Sequence, residues 1–475
     1  MSSVGPINRV PPELLTEIFL WFSDITHDIS RAGESPWTLT HVCQLWRDMS
    51  LRTPSLWSSF SYTKSTKSPL NLITTQIARS KREPLSFHVD FACDTLISIE
   101  VLLQETMGLC VFDILMAEAD RWKDVTLLIP DDALGMFMDI LSASQEEFPL
   151  LQTINIYRRR VITTEVIIIP DPMFVEAPVL SSVRLFPFID LGLPWTRLTE
   201  IETSHLPVEV EFTIITESPL LRKLVTTHRY GREDLAVADT TPVVHAALRV
   251  FGPMYTTILP HLVLPSLTEL VVDIFVDRDP PNALSDFISR SGSSVRHFSL
   301  HVHLLSSVTT LPADFAQKLV GIFSQMHALV DLDVDFDFTS LLERERDLAP
   351  IFFDTLQGGQ LVLQKLERIN VKAKRCICSL EDIVALVQYR WVKALVEGGN
   401  VTRLRRINVE CDGLKKMFKD DALDCLDNLR RFKTEGLEFS VVINGVSFDW
   451  ESYIVGPPRF DSLEASDISD TEFVD

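Results

Sequence analysis

Alternating aspartates in the second half of the chain are the residues whose type and spacing most suggest a metal-binding site. They are Asp331, Asp333, Asp335 and Asp337. Clustered carboxylates are typical Ca²⁺ ligands, but a calcium-binding loop also needs a glycine at its sixth position, and the residues between these aspartates are apolar. The alternation predicts instead that the carboxylates share one solvated strand face, suited to a basic partner. The inward face would then hold Leu332, Val334, Phe336 and Phe338.

Histidines and cysteines raise the question of a metal site. His297, His301 and His303 share the parity of one strand face. The other face would hold Phe298, Leu300, Val302 and Leu304. Cys376 and Cys378 have one residue between them and no second pair at zinc-finger spacing. Because a zinc site needs further well-placed ligands, we predict no metal and no other cofactor.

The charge balance limits the kind of partner. Lys and Arg number 44 against 66 Asp and Glu, for a formal net charge of −22. Nucleic-acid binding requires a strongly basic face, so we expect no nucleic acid. Two short basic clusters, Arg158 to Arg160 and Lys372 to Arg375, are typical of solvated loops, with a nuclear-import signal as the alternative.

Motifs of the common enzyme classes are missing. The sequence has no glycine-rich phosphate loop, no Gly-x-Ser-x-Gly elbow and no His-Glu-x-x-His pair. We therefore predict no catalytic residues and a protein that is not an enzyme. A hydrophobic fraction of 46% indicates a folded chain. With neither a signal-peptide core nor an apolar run of membrane-spanning length, we expect a cytoplasmic or nuclear protein without membrane contact.

After residue 62 the sequence begins to repeat. Helices are predicted over 71–82 and 97–119, and strands over 84–91 and 121–129. From there a spacing of leucine, two residues, apolar, one residue, apolar recurs. Its copies begin at Leu151, Leu180, Leu221, Leu267, Val295, Leu329, Leu366 and Leu404.

This spacing resembles a degenerate leucine-rich repeat, in which each unit supplies a short strand, a turn and a helix. The resemblance implies an α/β fold, with stacked units forming a solenoid around a parallel sheet. The alternative interpretation is a compact α/β domain, because the same spacing occurs in many α/β cores.

The first sixty residues differ from the rest. Pro11 and Pro12 can open a first helix, Ser35-Pro36 a second and Thr53-Pro54 a third. One apolar stripe is predicted on the first helix: Leu14, Leu15, Ile18, Phe19 and Phe22. Another is predicted on the second: Leu39, Val42, Cys43 and Trp46. A block of about 55 residues is too small to hide all of this surface by itself, so part of it should face another protein or the rest of the chain.

The order and spacing of these residues resemble the F-box, and most closely the F-box-like version common in fungal proteins. The matching positions are Pro11, Glu13, Ile18-Phe19, Val42-Cys43, Trp46 and Leu56-Trp57, with Val10 where the family has leucine. The resemblance covers roughly residues 7–60. The polar insertion from Ser23 to Ser35 departs from the family pattern and leaves the local geometry open.

The F-box resemblance implies a substrate-recognition adaptor of a Skp-cullin-F-box ubiquitin ligase. The N-terminal helices would dock a Skp-type linker protein, and through it a cullin, while the repeats hold a protein substrate. The residues implied at the linker interface or in its supporting core are Val10, Pro11, Leu14, Leu15, Ile18, Phe19, Val42, Cys43, Trp46, Leu56 and Trp57.

Three segments follow from these interpretations: an F-box-like helical domain over 1–62, a leucine-rich-repeat-like domain over 63–460 and an acidic disordered tail over 461–475. The alternative function is a repeat scaffold or binding protein outside any ubiquitin ligase. Its N-terminal helices would act as a cap, because stacked repeats need one at each end.

Overall fold

The computed structural model describes a large part of the chain. The described residues are 10–23, 27–31, 33, 36–63, 69–91, 99–130, 133–143, 147–159, 167–168, 173–227, 241–253, 255–275, 281–292, 294–303, 315–337, 356, 363–374, 380–396, 401–411, 422–443 and 446–448. The chain divides into two compact units. The first unit comprises residues 1–273 and 282–295, and the second comprises 274–281 and 296–475. Both combine α-helices with β-strands.

The first unit is built on a parallel sheet whose strands lie side by side in chain order. They are β1 (Ser59–Tyr62), β2 (Leu85–Asp90), β3 (Trp122–Pro130), β4 (Thr153–Arg159), β6 (Ser182–Phe186), β8 (Glu200–Ser204), β9 (Lys223–Thr227), β11 (Val250–Gly252) and β13 (Glu269–Phe275). Two short parallel pairs lie outside it: β5 (Ile167–Ile168) with β7 (Ile189–Asp190), and β10 (Val243–Val244) with β12 (Leu262–Val263).

The second unit repeats the arrangement. Its strands are β14 (His297–His303), β15 (Asp331–Asp337), β16 (Arg368–Lys374), β17 (Arg406–Cys411), β18 (Glu438–Ile443) and β19 (Val446–Phe448). Neighbouring strands from β14 to β18 pair in parallel, and β19 returns antiparallel to β18. The predicted parallel sheet is therefore confirmed.

Helices connect many of these strands. In the first unit they are α1 (Pro12–Ser23), α2 (Leu39–Val42), α3 (Gln44–Arg52), α4 (Pro69–Ser80), α5 (Ile99–Met116), α6 (Leu134–Ala143), α7 (Val208–Glu217) and α8 (Pro281–Ser291). In the second they are α9 (Phe315–Gln325), α10 (Leu380–Val396) and α11 (Ala422–Thr434). The early predicted helices and strands correspond to α4, β2, α5 and β3 with ends shifted by a few residues. Among the described residues, no helix is long and apolar enough to cross a membrane.

A short turn before many of the strands explains the repeating leucine. In each turn the N–H of a buried leucine donates to the carbonyl three residues earlier. The pairs are Leu151 with Phe148, Leu180 with Ala177, Leu198 with Trp195, Leu221 with Ser218, Leu267 with Leu264, Leu329 with Met326 and Leu366 with Leu363. We call these segments pre-strand turns. The leucine anchors the turn, and the two later apolar residues point inward at the period of a strand.

Burial alternates along the strands as the sequence predicts. Leu332, Val334 and Phe336 are buried, and Asp331, Asp333 and Asp335 share the opposite, half-exposed face. Phe298, Leu300 and Val302 are likewise buried opposite the histidines of β14. Phe338, Leu304, Cys376, Cys378 and the tail over 461–475 lie outside the described residues.

The basic clusters are not loops where they are described. Arg158 is buried near the end of β4, and Lys372 lies half-buried on β16. Arg158 and Lys372 continue the alternation of burial along their strands, which the sequence prediction missed because it judged the clusters by charge alone.

Candidate protein-docking site

A small aromatic core holds the N-terminal helices together. It consists of Phe19, Leu39, Leu56 and Trp57, with Leu20, Trp37, Trp46 and Met49 packed around them. The Phe19 and Trp46 rings meet edge-on with centroids 4.9 Å apart, which joins α1 to α3. The rings of Trp37 and Trp57 meet in the same way at 5.3 Å. Contacts of this geometry add to the stabilisation that burial provides.

The structure divides the predicted stripe of α1 into two. Leu15 and Phe19 are fully buried, whereas Leu14 is 55% exposed, Ile18 40% and Trp21 74%. The exposed residues are four and then three positions apart, so they form one row along the helix, and the buried pair lies about 100° around the axis. The predicted apolar stripe is wider than the core contact, which covers only the face of Leu15 and Phe19.

The second predicted helix is interrupted. Cys43 is extended, with φ −158° and ψ 172°, and separates α2 from α3. The helix begins at Leu39 and not at Pro36, which lies in a turn. Leu39 is buried, Val42 is 55% exposed and Trp46 is half-buried, so the predicted common stripe does not exist. The extended residue breaks the 3.6-residue period on which that prediction depended.

The third start signal opens a single 3₁₀ turn, Pro54–Trp57. Thr53 does not cap it, because its hydroxyl donates to the carbonyl of Met49 at 2.9 Å. Trp57 is fully buried, and its indole N–H donates to the carbonyl of Ser50 at 2.8 Å. The Gln76 side chain of α4 donates to the carbonyl of Trp57 at 2.9 Å. These bonds tie the N-terminal helices to the first helix of the following segment.

Arg79 of α4 strengthens the same junction. Its guanidinium lies 4.4 Å from the ring centroid of Trp37 and 4.3 Å from that of Trp57. A cation held over aromatic faces gains electrostatic attraction that grows as water is excluded. Burial lowers the pKa of Arg79 from its ordinary value, yet an arginine keeps its charge at any physiological pH.

The polar insertion covers the outer edge of the sheet. Ser61 of β1 donates its N–H to the carbonyl of His27 at 2.8 Å, and Ile29 donates to the carbonyl of Ser61 at 2.9 Å. Asp28 lies between them and accepts hydrogen bonds from Ser30 and Thr63, each at 2.6 Å from a hydroxyl. Covering an edge strand in this way blocks unwanted strand pairing.

The predicted docking residues therefore have three environments. Exposed ones are Pro11, Leu14, Ile18 and Val42; half-buried ones are Val10, Cys43 and Trp46; buried ones are Leu15, Phe19, Leu56 and Trp57. The buried side chains can only support a docking surface. The sequence prediction missed the exposed residues Trp21 and Leu45. The position of Trp21, seven residues after Leu14, was the signal that would have found it.

The acidic strand face offers less to a basic partner than its sequence suggests. Asp331 lies 2.5 Å from Nδ1 of His297 and accepts a hydrogen bond from Arg368 Nη2 at 2.6 Å. That hydrogen bond, together with the charge of Asp331, raises the pKa of Arg368 above its ordinary value. Asp333 accepts from the amide of Asn370 at 3.1 Å. The neighbouring strands thus supply the partners of these carboxylates.

The strand register also places other charged and polar side chains of that face opposite one another. His301 lies opposite Asp335 and Asp335 opposite Lys372, because β14, β15 and β16 pair without a shift. Within the described ranges, no three His, Cys, Asp or Glu side chains are placed to hold a metal ion.

A scan against models of known protein families finds no match for this sequence, and no curated protein matches it. The resemblances to the F-box and to leucine-rich repeats therefore depend on the residues and on the geometry described above.

Proposed function

We propose that this protein is a substrate-recognition adaptor of a Skp-cullin-F-box ubiquitin ligase, and that α1 docks a Skp-type linker through Leu14, Ile18 and Trp21. One observation carries the proposal: this row remains exposed although the adjacent face of the same helix, with Leu15 and Phe19, is already buried. Contiguous exposed apolar side chains on a soluble protein mark interaction sites.

The spacing of the row fits a helix that lies in the groove of a partner, where residues at i, i+4 and i+7 serve as anchors. Val42 and Leu45 extend the apolar surface from the α2–α3 junction, which the Phe19–Trp46 contact holds beside α1. Tryptophan is the residue type most often found as an energetic anchor of interfaces. We therefore assign Trp21 to the linker surface, in addition to the residues of the sequence motif.

The adaptor proposal also requires a repeat solenoid that binds the target protein. The strand order of each unit supports such a solenoid. Strands that follow one another in space as in sequence, many of them after a similar turn, are what stacked leucine-rich-repeat-like units produce. Such a body would hold the target protein. Its contribution to catalysis would be proximity, because holding a target beside the ligase raises the effective concentration of its lysines.

Ile18→Asp tests the proposal, with capture of a purified Skp-type linker by the full-length protein as the measurement. A charge in the middle of the row should weaken capture at least about tenfold. Met136→Asp is the matched control, because Met136 also lies on a helix of the first unit and is 41% exposed. Equal capture by a folded Ile18→Asp/Val42→Asp variant and by the wild type would contradict the proposal.

A second function, a repeat scaffold with an N-terminal cap, is favoured by one specific observation. The N-terminal segment contributes β1 to the sheet and covers the outer edge of that strand with His27 and Ile29. A cap needs these inward contacts and does not need the exposed row. If the wild type captures no linker while Trp57→Ala strongly destabilises the fold, the scaffold interpretation replaces the adaptor.

A further inference from the structure

Three arginines protrude from the segments that precede three neighbouring strands at one edge of the first unit. Arg197, Arg222 and Arg249 are all exposed, and they flank the buried leucines that precede β8, β9 and β11. The backbone places them next to one another. Arg222 donates its N–H to the carbonyl of Thr199 at 2.8 Å, and Arg249 donates to the carbonyl of Arg222 at 2.8 Å.

These arginines lack carboxylate partners in the described part of the chain. None of the three takes part in a side-chain hydrogen bond or an ion pair there, although Glu200 and Glu217 are exposed nearby in the sequence. On the strands beside them, by contrast, Glu202 of β8 pairs with Arg184 at 3.2 Å and with Lys223 at 2.6 Å. Like charges on neighbouring strands repel, so a row of unpaired arginines is unusual in a chain of net charge −22.

Apolar side chains accompany the arginines. Leu220 is 53% exposed and Val244 is 65% exposed, which makes them two of the most exposed large apolar residues described. A hydrogen bond between His245 Nε2 and the carbonyl of Ser218, 2.9 Å long, joins the turn that carries Leu220 to the end of β10, where Val244 lies. The N–H of Leu248 completes the link by bonding to Nδ1 of the same imidazole at 3.1 Å. The edge therefore presents cationic and apolar side chains together, on backbone segments that hydrogen bonds hold in place.

We propose that this edge binds an acidic segment of a target protein, with carboxylates on Arg222 and Arg249 and an apolar side chain between Leu220 and Val244. The inference rests on the proposed function only in calling that protein a ligase target. Arginine matches carboxylates in bidentate geometry. Nucleic acid would need a broad basic face to neutralise a run of phosphates, and three arginines at one edge supply only a short one.

Arg222→Glu/Arg249→Glu tests the proposal in the full-length protein. The probe is a fluorescein-labelled peptide of repeated Glu-Glu-Leu triplets, and fluorescence anisotropy measures its binding. We expect the double variant to bind about tenfold more weakly at low salt and the wild type to weaken as salt rises. Arg52→Glu/Arg82→Glu is the matched control, because it changes the net charge equally at exposed arginines outside this edge.

Three results would overturn the inference. They are equal loss of binding in both double variants, equal binding of a peptide with Gln in place of Glu, and tighter binding of a single-stranded oligonucleotide than of the acidic peptide. Capture of the Skp-type linker by the Arg222→Glu/Arg249→Glu variant should remain as in the wild type. If the arginine double variant loses linker capture while Ile18→Asp keeps it, the result counts against the adaptor proposal. The two proposals can therefore fail separately.

Discussion

The outer row of α1, which consists of Leu14, Ile18 and Trp21, differs from the acidic face of β15 in whether neighbouring elements supply partners for its side chains. The aspartates of β15 look reactive, yet Asp331 already has His297 and Arg368 as partners. Ile18, by contrast, is an apolar residue that remains 40% exposed. A polar side chain whose hydrogen bonds are already made gains little free energy by binding a ligand. An exposed apolar side chain gains free energy when a partner buries it.

The difference has a structural cause. A strand residue finds its partners on neighbouring strands, and the aspartates of β15 lie between a histidine-bearing strand and a basic one. A helix residue finds its partner only where another element packs. The core around Phe19 covers one side of α1 and leaves the side of Leu14 and Trp21 open.

The largest expected difference is in stability, between a tryptophan buried in the N-terminal core and a tryptophan of the outer row of α1. Trp57→Ala removes a fully buried indole and its hydrogen bond to Ser50, so we expect the free energy of unfolding to fall by about 3–5 kcal/mol in chemical denaturation. Trp21→Ala should change it by less than about 0.5 kcal/mol, because that side chain is 74% exposed.

The Trp21→Ala variant also tests whether the outer row binds a partner. Its capture of a Skp-type linker should fall although its stability does not. If Trp21→Ala instead destabilises the protein as much as Trp57→Ala does, the outer row is covered in solution and the contrast fails.

Local patterns predicted much of the fold. The strands that begin after Leu151, Leu221 and Leu366 were found because an anchoring leucine and two alternating apolar residues are local features. Several strands were missed, among them β8 and β11. In β8 the last inward position is Thr203, which is buried and donates to the carbonyl of Leu185 at 2.6 Å. In β11 the corresponding position is Pro253, which is buried but follows the last strand residue, Gly252.

The docking site was less predictable. Periodicity marks Leu14 and Leu15 alike as apolar, and only packing shows that one is exposed and the other buried. The extended backbone of Cys43 has no signal in its neighbours, so Val42 was grouped with Leu39 although only Leu39 is buried. Residues that are apolar on adjacent helix faces need a structure to separate their roles.

Asp28 should give a smaller, pH-dependent effect. Burial raises its pKa, but hydrogen bonds from Ser30 and Thr63 outweigh burial and hold the pKa of Asp28 below its ordinary value. The resulting stabilisation is complete above the pKa of an unfolded aspartate, about 4, and is lost as the pH falls through the lower folded-state pKa. Asp28→Asn should therefore cost about 1–2 kcal/mol at neutral pH.

The difference in unfolding free energy between the wild type and Asp28→Asn should shrink as the pH falls below about 4. Urea denaturation at several pH values measures it, and Asp48→Asn, at an exposed aspartate of α3, is the control. A difference that stays constant with pH would show that the hydrogen bonds of Asp28 do not depend on its charge.

Asp331→Asn should have the smallest effect and sharpen the contrast most directly. The aspartate is half-buried and its partners His297 and Arg368 are about half exposed, so solvent screens the pairs. The change should shift the urea midpoint less than Asp28→Asn does, and the shift should diminish further in high salt. A large, salt-insensitive shift would mean that the row from His297 to Arg368 is shielded from water and is part of the structural core, and the acidic face would then not be a solvated surface at all.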